Sequence, residues 1–441
     1  MNNISAKVDT FLKKYGMHYD NIDIPSGIGT FIEEMEQGLC GGSSTLKMLC
    51  TYISPEGEIP AQEPVIVMDA GGTNFRVAVV TFDSERKPEV EDFKVYPIPG
   101  TNGEISKEEF FATLAQYLKP VIHRSSKIGF CFSYPTKILP NKDGKLIQFN
   151  KEVRVSDMVG VELGAHLLQT LKANGVAGEK KIVLLNDTVA TLLGGKAAFP
   201  DRKFESYIGF ILGTGTNTCY VEENGNIHKA PFLQSQPGTT IINIESGGYG
   251  KAPRGEIDIK LDDNTADPGN QQFEKMISGA YQGNLALEVI RKAVEKGLFS
   301  KQFGSSLRNI RSLSSREIDE FCYFPYSLNH TLGKCVHMDN PDSSDDLLTL
   351  YHMIDAIFER AAKLVTINIA AVICKTGKGK NPCLPVCVAA EGTTFYKSKL
   401  FRGKLDFYIK KHLNDEMGIY CEFVKTDNAT LIGTAIAGLI N

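Results

Sequence analysis

Apolar residues in this chain fall into two recurring patterns. Residues 65–82 (VIVMDAGGTNFRVAVVTF) and 207–225 (YIGFILGTGTNTCYVEENG) each set an apolar β-run, a Gly/Thr turn and a second β-run in line. Shorter apolar runs at 127–132, 181–185 and 384–392 predict buried strands. Helical spacing predicts a helix over 107–118, with Phe110, Phe111, Leu114 and Leu118 on one stripe. Further helices are expected over 157–173, from the end of the 181–185 strand through Leu193, and over 271–296 and 347–374. The small-residue run TDNATLIGTAIAGLIN closes the chain as another. Residues 9–14 are amphipathic, a loop follows at 38–44, and 300–345 is polar, irregular and expected on the surface. The two glycine hairpins are the single internal repeat, which points to two related lobes.

The bulk numbers narrow the class. A chain of 441 residues is long enough for two large domains. Its 42% hydrophobic and 23% charged residues are ordinary for a globular protein. A net charge of -4 carries no basic excess, which argues against nucleic acid as a partner. Small anionic substrates must then be met by local donors. The ten cysteines are scattered without a Cys-x-x-Cys pair and read as reduced residues. The eight histidines show no helical metal spacing, so no protein-held zinc is expected. No apolar leader or membrane-length apolar run is visible, and the expected location is the cytoplasm.

The chemistry begins at the glycine turns. Glycines let backbone N–H groups approach an anion, and threonine hydroxyls add donors. A P-loop would follow its glycines with Lys and a helix, whereas Gly71-Gly72-Thr73 is followed by a Val-rich β-run. Two phosphate clamps on hairpins suggest a nucleotide held between lobes. Asp69, just before the first turn, suits a magnesium ion and its waters, or serves only as a turn former. Asn186 and Asp187 end a five-residue apolar strand, where α/β sheets bind ligands; an N-cap is the competing reading. Glu245 and Glu274 lie among amides and glycines, a composition suited to polyol hydroxyls, although solvated charges would look the same. Arg360 and Lys363 read as a solvated helix face.

Taken in order, these segments resemble the hexokinase family in its single-module size class, from about Pro64 to the C-terminus. MDAGGTNFRV is similar to the first phosphate motif, which implies nucleotide contacts at Asp69, Gly71, Gly72, Thr73, Asn74 and Arg76. GFCFSYP resembles the sugar-binding segment, with Ser133 on the sugar. LNDTVATL resembles the catalytic segment, with Asp187 as base and Asn186 as sugar ligand. LGTGTN implies phosphate contacts at Thr214 and Gly215. INIES and PGNQQFEKM imply sugar contacts at Asn243, Glu245 and Glu274. There are departures. The Thr-Lys pair of the family reads Asn150-Lys151, and Phe149 stands where a Trp is common. Ser246 replaces an aromatic after the sugar-binding glutamate, and Glu391 replaces Asp before Gly392-Thr393. The adenosine motif, normally glycine-rich, reads TDNATLIGTAIAG. These differences bear on sugar and donor preference.

The resemblance implies an α/β fold: two lobes of the actin-like ATPase (ribonuclease H-like) type around a central cleft. A helical lead-in (1–60) would pack on a large lobe (187–429), and a small lobe (61–186) would take back residues 430–441. The implied activity is ATP- and Mg2+-dependent phosphorylation of a hexose, glucose first, on its primary hydroxyl. Asp187 would be the base, with Asp69 reaching Mg2+ through water. The implied partners are sugar and ATP, with no nucleic acid or membrane, in a monomer or homodimer. A non-catalytic sugar sensor and an actin- or chaperone-like ATPase are the alternatives.

Overall fold

The computed structural model describes every residue except 1, 73, 150–152, 338 and 340; at Asn2 and Asn3 it describes the backbone. The chain opens with helices α1 (Asn2–Lys14) and α2 (Ile24–Cys40) and the short strand β1 (Leu49–Cys50). Pro25 sits in the first turn of α2, where its missing N–H costs nothing, and Gly41 ends the helix in the left-handed conformation.

Next comes a five-stranded sheet built from β2 (Val65–Gly71), β3 (Asn74–Phe82), β4 (Pro88–Pro97), β5 (Lys127–Phe132) and β8 (Lys181–Leu185), in the order β4-β3-β2-β5-β8. Helix α3 (Lys107–Leu118), a ribbon of β6 (Thr136–Ile138) and β7 (Gly144–Leu146), and α4 (Leu163–Ala173) fill the connections. Ser106 and Glu109 close a capping box at the start of α3. The helix expected over 157–173 begins only at Leu163. Asp157 is left-handed (φ 55°), and the buried Asp143 carboxylate takes the N–H groups of Gly164 and Ala165 at 2.6 and 2.8 Å. A carboxylate from another segment thus sets that helix start.

Helix α5 (Asp187–Ala197) leads to β9 (Ser206–Leu212), β10 (Thr216–Glu223), the short α6 (Pro231–Gln234) and β11 (Thr239–Asn243). Six helices follow: α7 (Glu256–Asp263), α8 (Gln272–Ile277), α9 (Gly279–Glu295), α10 (Lys301–Leu307), α11 (Ser315–Tyr323) and the 34-residue α12 (Ser343–Thr376). The chain closes with β12 (Val386–Glu391), α13 (Thr393–Lys397), α14 (Phe401–Ile409), β13 (Cys421–Val424) and α15 (Ala429–Ile440). The second sheet runs β1-β11-β10-β9-β12-β13.

Without β1 the two sheets have one plan. Each starts with three antiparallel strands and adds two parallel ones beside the first. The repeat seen in the hairpins therefore extends to five strands of each main sheet. Two helices join the lobes. α5 leaves the first sheet and packs on β9 and β12 of the second; α15 leaves the second and packs on β2 and β5 of the first. They also pack on each other, backbone to backbone. A Cβ on Gly433 would lie 1.8 Å from the Ala190 carbonyl oxygen, and one on Gly194 would lie 2.4 Å from that of Ala429. Only glycine fits there.

Three further expectations change. The 300–345 segment contains α10 and α11, with Phe303, Ile318 and Phe321 fully buried, so amphipathic helices cover part of the core. Each buried Phe contributes about 1.5–3 kcal/mol of transfer free energy, enough to draw a mostly polar segment inward. The stretch 271–296 breaks at Ser278 (ψ 161°), because the Gly213 and Thr214 carbonyls take the N–H groups of Gly279 and Ala280 at 2.8 and 3.0 Å. Arg360 and Lys363 are not a solvated face. Arg360 is buried, forking onto Asp258 at 2.9 and 2.5 Å, and Lys363 donates to the carbonyls of Tyr19 and Ile22 at 2.9 and 3.0 Å.

Candidate functional site

On the small lobe the site is built at the carboxyl ends of β2, β5 and β8. Parallel pairing sets Asp69 beside Cys131, two residues before Ser133. A Cβ on Gly71 would lie 3.3 Å from Ser133 Oγ and 3.8 Å from Asp69 Oδ1, so hydroxyl and carboxylate flank the glycine turn. Gly72 is left-handed (φ 60°), and its carbonyl accepts from the Tyr134 hydroxyl at 2.9 Å. Asn74 is exposed at the start of β3. Arg76, opposite Asp69 on β3, donates to Asp69 Oδ2 at 2.6 Å. The buried Cys131 thiol is held well above its usual range by burial, and next by the Asp69 and Asp187 charges. Thr73, Asn150 and Lys151 lie outside the described residues.

Strand β8 ends at Leu185, and α5 starts two residues later. Asn186 is its N-cap, with Oδ1 accepting from the Thr188 N–H at 2.9 Å. Asp187 occupies the first helical position and accepts from Thr188 N–H at 2.7 Å and Thr188 Oγ1 at 3.2 Å. Its carboxyl is pushed up to about 6. Burial is the main cause; the Thr188 bonds oppose it, and the Asp69 and Glu245 charges add to it. Some contact with solvent remains. The cap and the raised carboxyl thus fall on adjacent residues.

The large lobe supplies a second polar group. Asn243 ends β11, and Glu245 follows in the left-handed conformation (φ 60°). Glu245 Oε1 accepts from Asn243 Nδ2 at 2.8 Å and from Asn217 Nδ2 at 3.4 Å. Asn217 also donates to Asn243 Oδ1 at 2.8 Å. Asn217 joins this group without standing out in the sequence. Its signal was a polar residue in the LGTGTN run, facing the INIE segment once β10 pairs with β11. Glu274 on α8 accepts from the Thr216 N–H at 2.9 Å, and its acid is raised by burial, opposed by that bond, with the Glu245 charge adding. A Cβ on Gly215 would lie 2.6 Å from Glu274 Oε2.

Two glycine turns meet beside this group. Thr214 is exposed at the tip of the β9–β10 turn, which Gly213 and Gly215 close with a 2.9 Å bond. Gly392 lies against it: its φ of 117° suits glycine, and a Cβ there would lie 2.2 Å from the Leu212 carbonyl oxygen. Gly392 and the exposed Thr393 open α13. Glu391, just before, is held above the usual carboxylate range by burial. The fold thus brings Asp69, Ser133 and Asn186 of one lobe, and Asp187 at the start of the joining helix α5, toward Asn217, Asn243, Glu245 and Glu274 of the other lobe, with glycine turns on both. Polyol and phosphate chemistry suit such a site.

Two models of the hexokinase family, each described as hexokinase, match residues 7–197 and 207–440. Hexokinase-1 of Spinacia oleracea is 31% identical over 435 residues, covering 91% of this chain and 84% of that protein. Hexokinase-5 of Oryza sativa subsp. japonica is 30% identical over 431 residues, covering 92% and 84%. The fold matches a hexokinase from Schistosoma mansoni complexed with glucose, with a TM-score of 0.77, 23% identity and 99% coverage of both chains. A second hexokinase crystal structure matches with a TM-score of 0.79, 20% identity and the same coverage.

Proposed function

Because the chain belongs to the hexokinase family and is a hexose kinase, we propose that its hexose is glucose, phosphorylated on the primary hydroxyl as the opening step of glycolysis. The cytoplasm is the proposed location. The observation that carries this reading is the place of Asp187, which opens α5 just past the carboxyl end of β8; burial, with the Asp69 and Glu245 charges adding, raises its carboxyl to about 6. Such a group is ionised at neutral pH yet remains a competent base. It accepts the hydroxyl proton as that oxygen attacks the γ-phosphorus of ATP; the new O–P bond forms, the bond to the bridging oxygen breaks, and ADP leaves. Ser133, Asn186, Asn243, Glu245 and Glu274 hold sugar hydroxyls, and Asn217 joins them. Asn150 and Lys151 are proposed for the same role.

Backbone donors at Gly71, Gly72, Asn74, Gly215 and Gly392, with Thr73, Thr214 and Thr393, hold the phosphates, and Arg76 balances charge beside them. Magnesium favours hard oxygen donors and keeps its waters. Asp69 fits that demand: Arg76 engages one carboxylate oxygen, and the other lies near Gly71. When bound, the ion neutralises phosphate charge. Lobe closure excludes water, the competing nucleophile.

The test is ADP release with glucose, other hexoses, ATP and Mg2+, on wild type and on Glu245→Ala and Glu274→Ala. Each variant weakens hexose binding by roughly 1.5–3 kcal/mol, because hydroxyls lose charge-assisted partners. ATP binding without sugar stays unchanged. A stronger preference for another hexose would reject glucose; equal damage to both ligands would reject these carboxylates as sugar contacts.

A further inference from the structure

Below the sugar-side carboxylates runs a polar chain that the chemistry above leaves unused. Asn368 on α12, Thr218 on β10 and Ser246 beyond β11 are each fully buried. Asn368 Nδ2 donates to Thr218 Oγ1 at 2.7 Å, and Thr218 Oγ1 lies 3.1 Å from Ser246 Oγ. Having accepted from the amide, the Thr218 hydroxyl has its own proton to give to Ser246. Asn368 Oδ1 has no partner among the described residues. Leucine would fill an apolar helix face without leaving a polar atom unpaired, so this amide needs a reason beyond packing.

The reason lies at the other end of the chain. Ser246 follows Glu245, and its N–H donates to Asn217 Oδ1 at 3.3 Å; the Thr218 N–H donates to the same oxygen at 2.7 Å. With its oxygen held there, Asn217 turns Nδ2 toward Asn243 and Glu245. Glu245 is left-handed, a conformation that a non-glycine residue keeps only where its surroundings over-determine it. Backbone bonds brace it, from the Gly248 N–H to the Glu245 carbonyl and from the Ile244 N–H to the Thr218 carbonyl, both at 3.0 Å, and the side-chain bonds of Ser246 and Thr218 add to them.

We propose that Asn368, Thr218 and Ser246 are positioning residues for sugar binding: they set the Glu245 turn and the facing of the Asn217 amide from behind the site. The inference rests on the reading of Glu245 as a sugar ligand. It concerns sugar affinity and leaves ATP and the chemical step alone.

Thr218→Val keeps the shape and removes both side-chain bonds. The expected result is a glucose KM raised about tenfold, the size of one or two lost neutral hydrogen bonds. Meanwhile kcat and the ATP KM stay within about twofold, the signature of lost ground-state positioning. Thr218→Ser, which keeps the hydroxyl, restores the glucose KM; a merely structural role would not separate the two substrates. Should Thr218→Val fold poorly, Asn368→Leu leaves the Thr218–Ser246 pair intact, and a rise in glucose KM alone is again expected. Equal rises in both KM values, or a Thr218→Ser enzyme as impaired as Thr218→Val, overturn the proposal. Glu245→Ala is measured alongside. If it is impaired and Thr218→Val is normal, only this inference falls; if Glu245→Ala leaves the glucose KM unchanged, the sugar-site reading falls and this inference with it.

Discussion

Asp187→Asn tests both sides of one carboxyl. Asparagine keeps the oxygen that accepts from Thr188 N–H and Oγ1 at 2.7 and 3.2 Å, so α5 keeps its start. It loses the charge and the basicity. Loss of a general base lowers turnover about 100- to 10,000-fold. Stability moves the other way. The carboxyl titrates near 3.9 in an unfolded chain and at about 6 in the fold. A raised acid pKa means the folded state prefers the proton, so above pH 6 the charged form strains the fold. At 1.36 kcal/mol per pKa unit that penalty is roughly 3 kcal/mol, and Asn removes it. The variant should therefore be more stable than wild type at pH 8. The gain should fade as pH drops from 6 to 4 and vanish where both states are protonated. Turnover by ADP release and urea unfolding at pH 8 and pH 4 provide the measurements. Wild-type turnover should itself rise with pH through about 6. A turnover loss below about tenfold, or a variant less stable than wild type at pH 8, would refute the reasoning.

Gly392→Ala should weaken ATP binding and leave glucose binding intact, since its Cβ would meet the Leu212 carbonyl oxygen at 2.2 Å; equilibrium binding of each ligand alone checks it. Arg360→Leu should lower stability by about 3–5 kcal/mol, because the Asp258 charge is left buried without its cation, keeping only the Gly255 N–H; denaturant unfolding reads this, and a neutral result would mean water reaches Asp258. Glucose should draw the lobes together, since proposed sugar contacts come from both. The chain has no tryptophan, so small-angle scattering is the measurement, and an unchanged curve at saturating glucose would rule closure out. A glucose-like pentose without the primary hydroxyl should raise slow ATP hydrolysis above the sugar-free rate, because water fills the vacant position.

Local signals were enough for the elements whose neighbours lie close in the chain. Helix Lys107–Leu118 and strands Lys127–Phe132 and Lys181–Leu185 occur where the apolar spacing sets them. The placement of Asp187 was legible for the same reason: an apolar strand ends, a capping residue follows, and the next carboxylate opens the helix. The two hairpins likewise announced two lobes, because glycine turns leave a local mark. What stayed hidden was decided by distant partners. Arg360 looked like a solvated charge until Asp258, on another helix, met it. The helix through Ser278 looked continuous until two carbonyls of the 213–215 turn claimed its amides. Asn217 acquired its place only when β10 paired with β11 and brought it against Glu245. Periodicity records which face of an element is apolar, whereas a buried polar group is placed by the partner that satisfies it, and that partner exists only once the chain has folded.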